Sequence, residues 1–162
     1  MNILHSYRQL SNLFFKLISR IRDNLRGGIK MINIGLLMIR LVIGLLFVGH
    51  GAQKLFGWFG GYGLKGTGGW FESIGMKPGV TLALFAGLAE LIGGLLFALG
   101  FVTPLAGILI AGTMVMAIVK VHGPNGLWST SNGYEYNLTI LAVVIGVALI
   151  GPGQYALDAF LL

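Results

Sequence analysis

The chain of 162 residues contains no cysteine. Disulfide exchange, thiolate nucleophiles and cysteine-ligated zinc or iron–sulfur centres are therefore excluded as chemistry of this chain. Charge is nearly as scarce, since Asp and Glu number five and charged residues of both signs make up 10%. With three histidines and those few carboxylates spread along the sequence, no metal-ligand spacing emerges and no metal is expected. What fills the space is apolar: 56% of residues are hydrophobic and the mean hydropathy is +0.85, more than a soluble domain of this length could bury. The composition implies an all-α integral membrane protein whose environment is the lipid bilayer.

The formal charge of +6 does not point to nucleic acid. Six of the eleven Lys and Arg fall in residues 1–30, and the remaining charges nearly balance, so the basicity belongs to a membrane-facing flank. In that flank Leu10, Phe14, Leu17, Ile18, Ile21 and Leu25 recur at helical spacing among Arg8, Lys16, Arg20, Arg22 and Arg26. This pattern predicts a basic amphipathic N-terminal helix, an extension over 1–30 lying in the headgroup region. A second reading takes Met31, where the strong apolar run begins, as the natural start. No secretory signal pattern is present, because no continuous apolar core leads to a small-residue cleavage site.

Four apolar runs follow, and membrane spans are expected at about 32–50, 80–100, 103–122 and 136–152 within a single domain over 31–162. The chain thus reads as a four-helix membrane bundle. Glycines of the first loop, together with Pro124 and Pro152, mark the breaks, while Pro104 suits a first helical turn. Glycines inside the spans, among them Gly44, Gly87, Gly93 and Gly94, serve close helix packing, which lipid does not otherwise drive. The surplus of Lys and Arg ahead of the first span places that end, and with four spans both termini, in the cytoplasm.

Two charged residues fall inside the apolar runs. Arg40 and Glu90 are each eight to ten residues into their spans, so antiparallel packing is expected to bring them to one depth as a buried pair. Such a pair either fixes helix register or takes part in proton or ligand chemistry. A second group gathers at the far end of the bundle. His50 and Lys54 share a helical face, and His122 and Glu135 arrive from the third and fourth spans, accompanied by Lys120, Tyr134, Tyr136 and Asn137. This patch is a candidate for binding a quinone head group, exchanging protons or docking a partner. It can equally be read as interfacial anchoring of the kind Trp58, Trp70 and Trp128 provide. Haem on His50 and His122 is disfavoured, since nothing beyond the two histidines supports it.

The runs RLVIGLLFVGHGAQKLFG from Arg40, GLAELIGGLLFALGFVTPLAG from Gly87, VKVHGPNGLW from Val119 and NGYEYNLTILAVVIGVALIGPGQYALD from Asn132 resemble bacterial DoxX family proteins over about residues 31–158. The resemblance implies a multi-pass protein of the bacterial inner membrane, associated with respiratory, quinone-linked or detoxification chemistry. Arg40, His50, Lys54, Glu90, His122 and Glu135 match family-typical polar positions, without an assigned role. Two functions are expected to compete: a membrane subunit of a quinone-linked oxidoreductase whose partner supplies the electrons, and a non-catalytic scaffold that recruits or stabilises soluble redox enzymes. A transporter is less well supported, because no pair of broken half-helices is evident.

Overall fold

The structure is a computed structural model that describes residues 3–161, with side chains described from residue 13 onward. Arg8 and Leu10 of the amphipathic pattern therefore lie outside the described side chains. Among the described residues all regular structure is helical: α1 (Ile3–Phe56), α2 (Gly63–Ser73), α3 (Gly79–Leu99), α4 (Thr103–Ala117), α5 (Glu135–Ile150) and α6 (Asp158–Leu161). Three helical segments, Leu13–Phe56, Gly79–Leu99 and Thr103–Asn125, are long and apolar enough to cross a membrane. The fourth, α5, is a shorter apolar helix of 16 residues, about 24 Å long at 1.5 Å per residue.

Helix α1 differs from its sequence reading at both ends. It runs past residue 50 to Phe56, and it continues without interruption through residue 30 into the basic segment. The described side chains from 13 to 32 are exposed except Ser19, so this part of the helix does not pack into the bundle. The first loop also holds more structure than its glycines suggested. A 3₁₀ turn at Trp58–Gly60 leads into α2, which lies across the N-terminus of α3. A Cβ on Gly68 would sit 2.7 Å from the Val80 Cα, and the Glu72 carboxylate accepts the Gly79 amide at 3.1 Å, capping α3.

Helices α1, α3, α4 and α5 pack up and down around a core of Leu36, Phe47, Phe97, Ala106, Ile110, Met114, Ile140, Val144 and Val147. Glycine sets the closest seam. Cβ atoms added to Gly44 and Gly94 would each lie 2.5 Å from the other's carbonyl oxygen, and one on Gly51 would lie 2.6 Å from the Leu91 nitrogen. Backbone therefore meets backbone along α1 and α3, as small residues permit in lipid.

The seam fixes the register, and the register separates the two intramembrane charges. Arg40, fully buried, donates to the Tyr155 carbonyl at 2.7 Å and the Ala98 carbonyl at 3.5 Å, and packs against Gly100. That position lies eight to ten residues beyond Glu90 on α3, or about 12–15 Å along the axis. The expected Arg40–Glu90 pair is therefore replaced by two different contacts. Helix α1 extends six residues beyond the expected span end at 50, and this shifts the residue that faces Glu90 by more than one turn.

Arg40 instead anchors the chain's end. After α5 the backbone turns under the bundle, where the Asn33 side chain accepts the Gln154 amide at 2.9 Å and the Leu157 amide bonds Leu99. Asp158 then caps α4, its carboxylate accepting the Val102 amide at 2.7 Å and the Thr103 amide and hydroxyl at 3.0 and 2.9 Å. These bonds hold Val102 at a φ of 44°, a strained conformation for a β-branched residue. Burial works to raise the Asp158 carboxyl, but the Thr103 and Val102 donors and the Arg40 charge outweigh it and leave the group below its ordinary 3.8. A depressed folded value means stability present above the ordinary value and lost as pH falls through the folded one. Acid titration of the detergent-solubilised protein is expected to release the tail in that window, read as new protease cleavage after Tyr155. Asp158→Asn should show the cleavage at neutral pH and lose its acid dependence.

Candidate functional site

At the end of the bundle away from the C-terminal tail, the four packed helices leave a cavity of about 680 Å³. Its walls are apolar, with Phe47 from α1, Leu82 and Phe85 from α3, Leu109 and Met114 from α4, and Trp70 and Phe71 of α2 over the outer end. The polar groups converge from different elements. His50 and Lys54 come from the last turns of α1, Glu90 from α3, Thr113 from α4, Lys120 and His122 from the turn after it, and Tyr136 and Asn137 from the start of α5. An apolar chamber with a few convergent polar groups is the usual form of a small-molecule site.

The charge pair in this chamber is Lys54 with Glu90, whose Nζ and Oε2 lie 2.5 Å apart. The Glu90 side chain is 6% exposed and that of Lys54 24%, so both ends of the bridge are largely withdrawn from solvent. Glu90 thus belongs with the patch at the α1 terminus and not with Arg40. Glycine makes the pairing possible, because Gly87, one turn before Glu90, lets Leu55 and the Lys54 stem pack on α3.

The two cavity histidines are each held through Nδ1. His122 Nδ1 lies 2.9 Å from the Asn132 carbonyl, which can only accept, so Nδ1 carries the hydrogen. Gln53 donates its amide to the Phe59 carbonyl at 3.3 Å, which leaves its oxygen to accept from His50 Nδ1 at 3.1 Å. Each ring then presents Nε2 as the nitrogen that these hydrogen bonds leave free. His122 reaches the cavity because α4 does not end as a regular helix. Its last turn, Ile118–His122, widens to a π-helix, a distortion frequent at functional sites.

Glu135 stands apart from the other expected patch residues. It is not among the residues lining the cavity, and its carboxylate accepts the Ser129 amide at 2.9 Å, fastening the loop ahead of α5. Asn137, by contrast, is more central than its sequence position suggested. It is 3% exposed, and its side-chain amide donates to the Met114 thioether at 3.4 Å. A thioether is a weak acceptor, so this buried donor is available to a stronger one. Its signal in the sequence is an amide at the head of an apolar run, in the first turn of α5. Among the described residues no group of three or more His, Asp or Glu could hold a metal ion.

Comparison with known proteins agrees with a membrane environment. The DoxX family model matches residues 35–123. The chain is 33% identical to the Bacillus subtilis protein named "Putative oxidoreductase CatD", over 81% of this chain and 90% of that one. It is 30% identical to the Escherichia coli inner membrane protein YqjF, over 82% of this chain and 95% of the relative. An uncharacterized membrane protein of Mycobacterium tuberculosis is also 30% identical, over 74% of this chain and 77% of its own length. No solved structure matches the chain. An apolar helical bundle, matched by a family model over more than half its length and by relatives along 77–95% of their lengths, is a member of the DoxX family of membrane proteins.

Proposed function

We propose that the cavity binds a quinone head group and that the chain is the quinone-binding membrane component of a redox or detoxification system whose partner supplies the electrons. The observation that carries this reading is the cavity itself: apolar walls wide enough for a flat ring, with hydrogen-bond donors and proton acceptors gathered at different points of its lining. A quinone has two carbonyl oxygens that accept hydrogen bonds and take up protons on reduction. Asn137 and Lys54 supply donors for those oxygens, and the Nε2 atoms of His50 and His122 accept or return protons. The word oxidoreductase in the Bacillus relative's name supports the same class of chemistry. In this reading the site faces outward from the cytoplasmic membrane, and the basic N-terminal segment stays inside.

The test is titration of decylubiquinone and a short-chain menaquinone into the purified protein in lipid nanodiscs, followed by Trp fluorescence. Saturable binding is expected, and Asn137→Leu should weaken it by roughly fivefold to tenfold, the equivalent of about one lost hydrogen bond. No saturable binding of either quinone would end this reading. The scaffold alternative draws on a different observation, the exposed basic and apolar faces of α1 over residues 13–32. Recovery of a soluble redox enzyme that depends on this segment, with no quinone bound, would favour it.

A further inference from the structure

The cavity wall is incomplete on one side, along an exposed apolar stripe shared by α3 and α4. Helices α3 and α4 close tightly at one level, where a Cβ on Gly93 would sit 2.9 Å from the Leu109 Cβ. Toward the cavity end the same two faces separate. On α3, Ala89 and Phe85 continue the stripe of Gly93 at intervals of four residues; on α4, Gly112 and Met116 continue that of Leu109. All four line the cavity, yet Phe85 is 63% and Met116 45% exposed, and a Cβ on Gly112 would meet nothing within 4 Å. The outer end is covered differently, by α2, which is fastened to α3 through Gly68 and Glu72.

We infer that the seam between α3 and α4 is a lateral portal through which a membrane-dissolved ligand enters, leaving its hydrocarbon tail in the groove past Gly112 and out into the bilayer. The inference rests on the quinone reading for the head group, and it adds a substrate class: quinones that carry a hydrocarbon tail, which gain the groove in addition to the head-group contacts that tailless quinones share. Gly112 is the specificity-determining position, because its missing side chain is the gap in the wall. The groove residues Phe85, Ala89 and Met116 carry no charge, so the tail exchanges one apolar surrounding for another.

A Cβ at Gly112 meets nothing within 4 Å, so Gly112→Phe has room to lay its ring across the gap, and replacing glycine inside a helix does not weaken it. In nanodiscs, this variant is expected to bind decylubiquinone at least roughly tenfold more weakly, because a ring lying across the groove must be pushed aside before the tail can pass while the head group is seated. Its affinity for tailless duroquinone should stay within about twofold of the unmodified protein, below the worth of a single hydrogen bond. Equal loss for both quinones, or no loss for either, would overturn the portal. A second arm needs no quinone and so separates this inference from the reading it rests on. The chain has no cysteine, so Ala89→Cys introduces a single thiol. That thiol should react with a lipid-soluble pyrene maleimide and not with a sulfonated one, and Gly112→Phe should slow the reaction. Faster labelling by the charged reagent would show that the cavity opens to water, and would overturn the portal whatever the head group proves to be.

Discussion

Lys54→Met is expected to destabilise the bundle by about 3–5 kcal/mol, because it strands a nearly buried carboxylate. Glu90 has no charge partner other than Lys54 among the described residues, and lipid offers no water to replace it. The double change Lys54→Met with Glu90→Met removes both charges and should recover a large part of the loss, since well-packed apolar residues often substitute for a buried pair at little cost. Unfolding in graded denaturing detergent measures both variants. Equal stability of the single and double variants would show that the bridge contributes nothing as a pair. Ligand binding divides the two roles of the bridge: the double variant should regain stability without regaining quinone affinity. Recovery of both would mean that the pair only holds α1 against α3.

Arg40→Met should cost a similar amount, about 3–5 kcal/mol, for a different reason. The guanidinium is fully buried, and its removal leaves the Tyr155 and Ala98 carbonyls short of a donor while depriving Asp158 of a nearby positive charge. Its Nε has no hydrogen-bond partner among the described residues, so the side chain is held by its two terminal nitrogens alone. The loss should appear first as detachment of the segment after Gly151, read by protease cleavage near Tyr155 before the helices unfold. Arg40→Lys keeps the charge and loses the planar fork, so an intermediate effect is expected. Unchanged cleavage in Arg40→Met would show that the tail is held without it.

Hydrophobic run length made the helices legible, because a backbone in lipid must satisfy its own hydrogen bonds. Register was not legible, since it depends on which glycines of α1 meet which glycines of α3, and the sequence offers several. Gly44 against Gly94 and Gly51 against Leu91 decide it, and that choice sends Arg40 to the C-terminal tail and Glu90 to Lys54. The site was legible in part for the same reason. His50, Lys54 and His122 all line the cavity, as their helix ends imply, but Glu135 turned to a local backbone amide that spacing alone does not reveal. Asn33 and Asp158 gave no periodic signal, because their partners lie far away along the chain.

The glycine seam also divides the molecule mechanically. Where α1 and α3 touch through their main chains, no side chain can change rotamer to let one helix slide past the other, so the two form a stiff plate. Helix α4 meets that plate closely where Gly93 faces Leu109, and beyond this fulcrum it ends in a widened turn. Any breathing that admits a molecule larger than the resting gap therefore falls to the outer half of α4, while the plate carrying Lys54 and Glu90 keeps its geometry throughout.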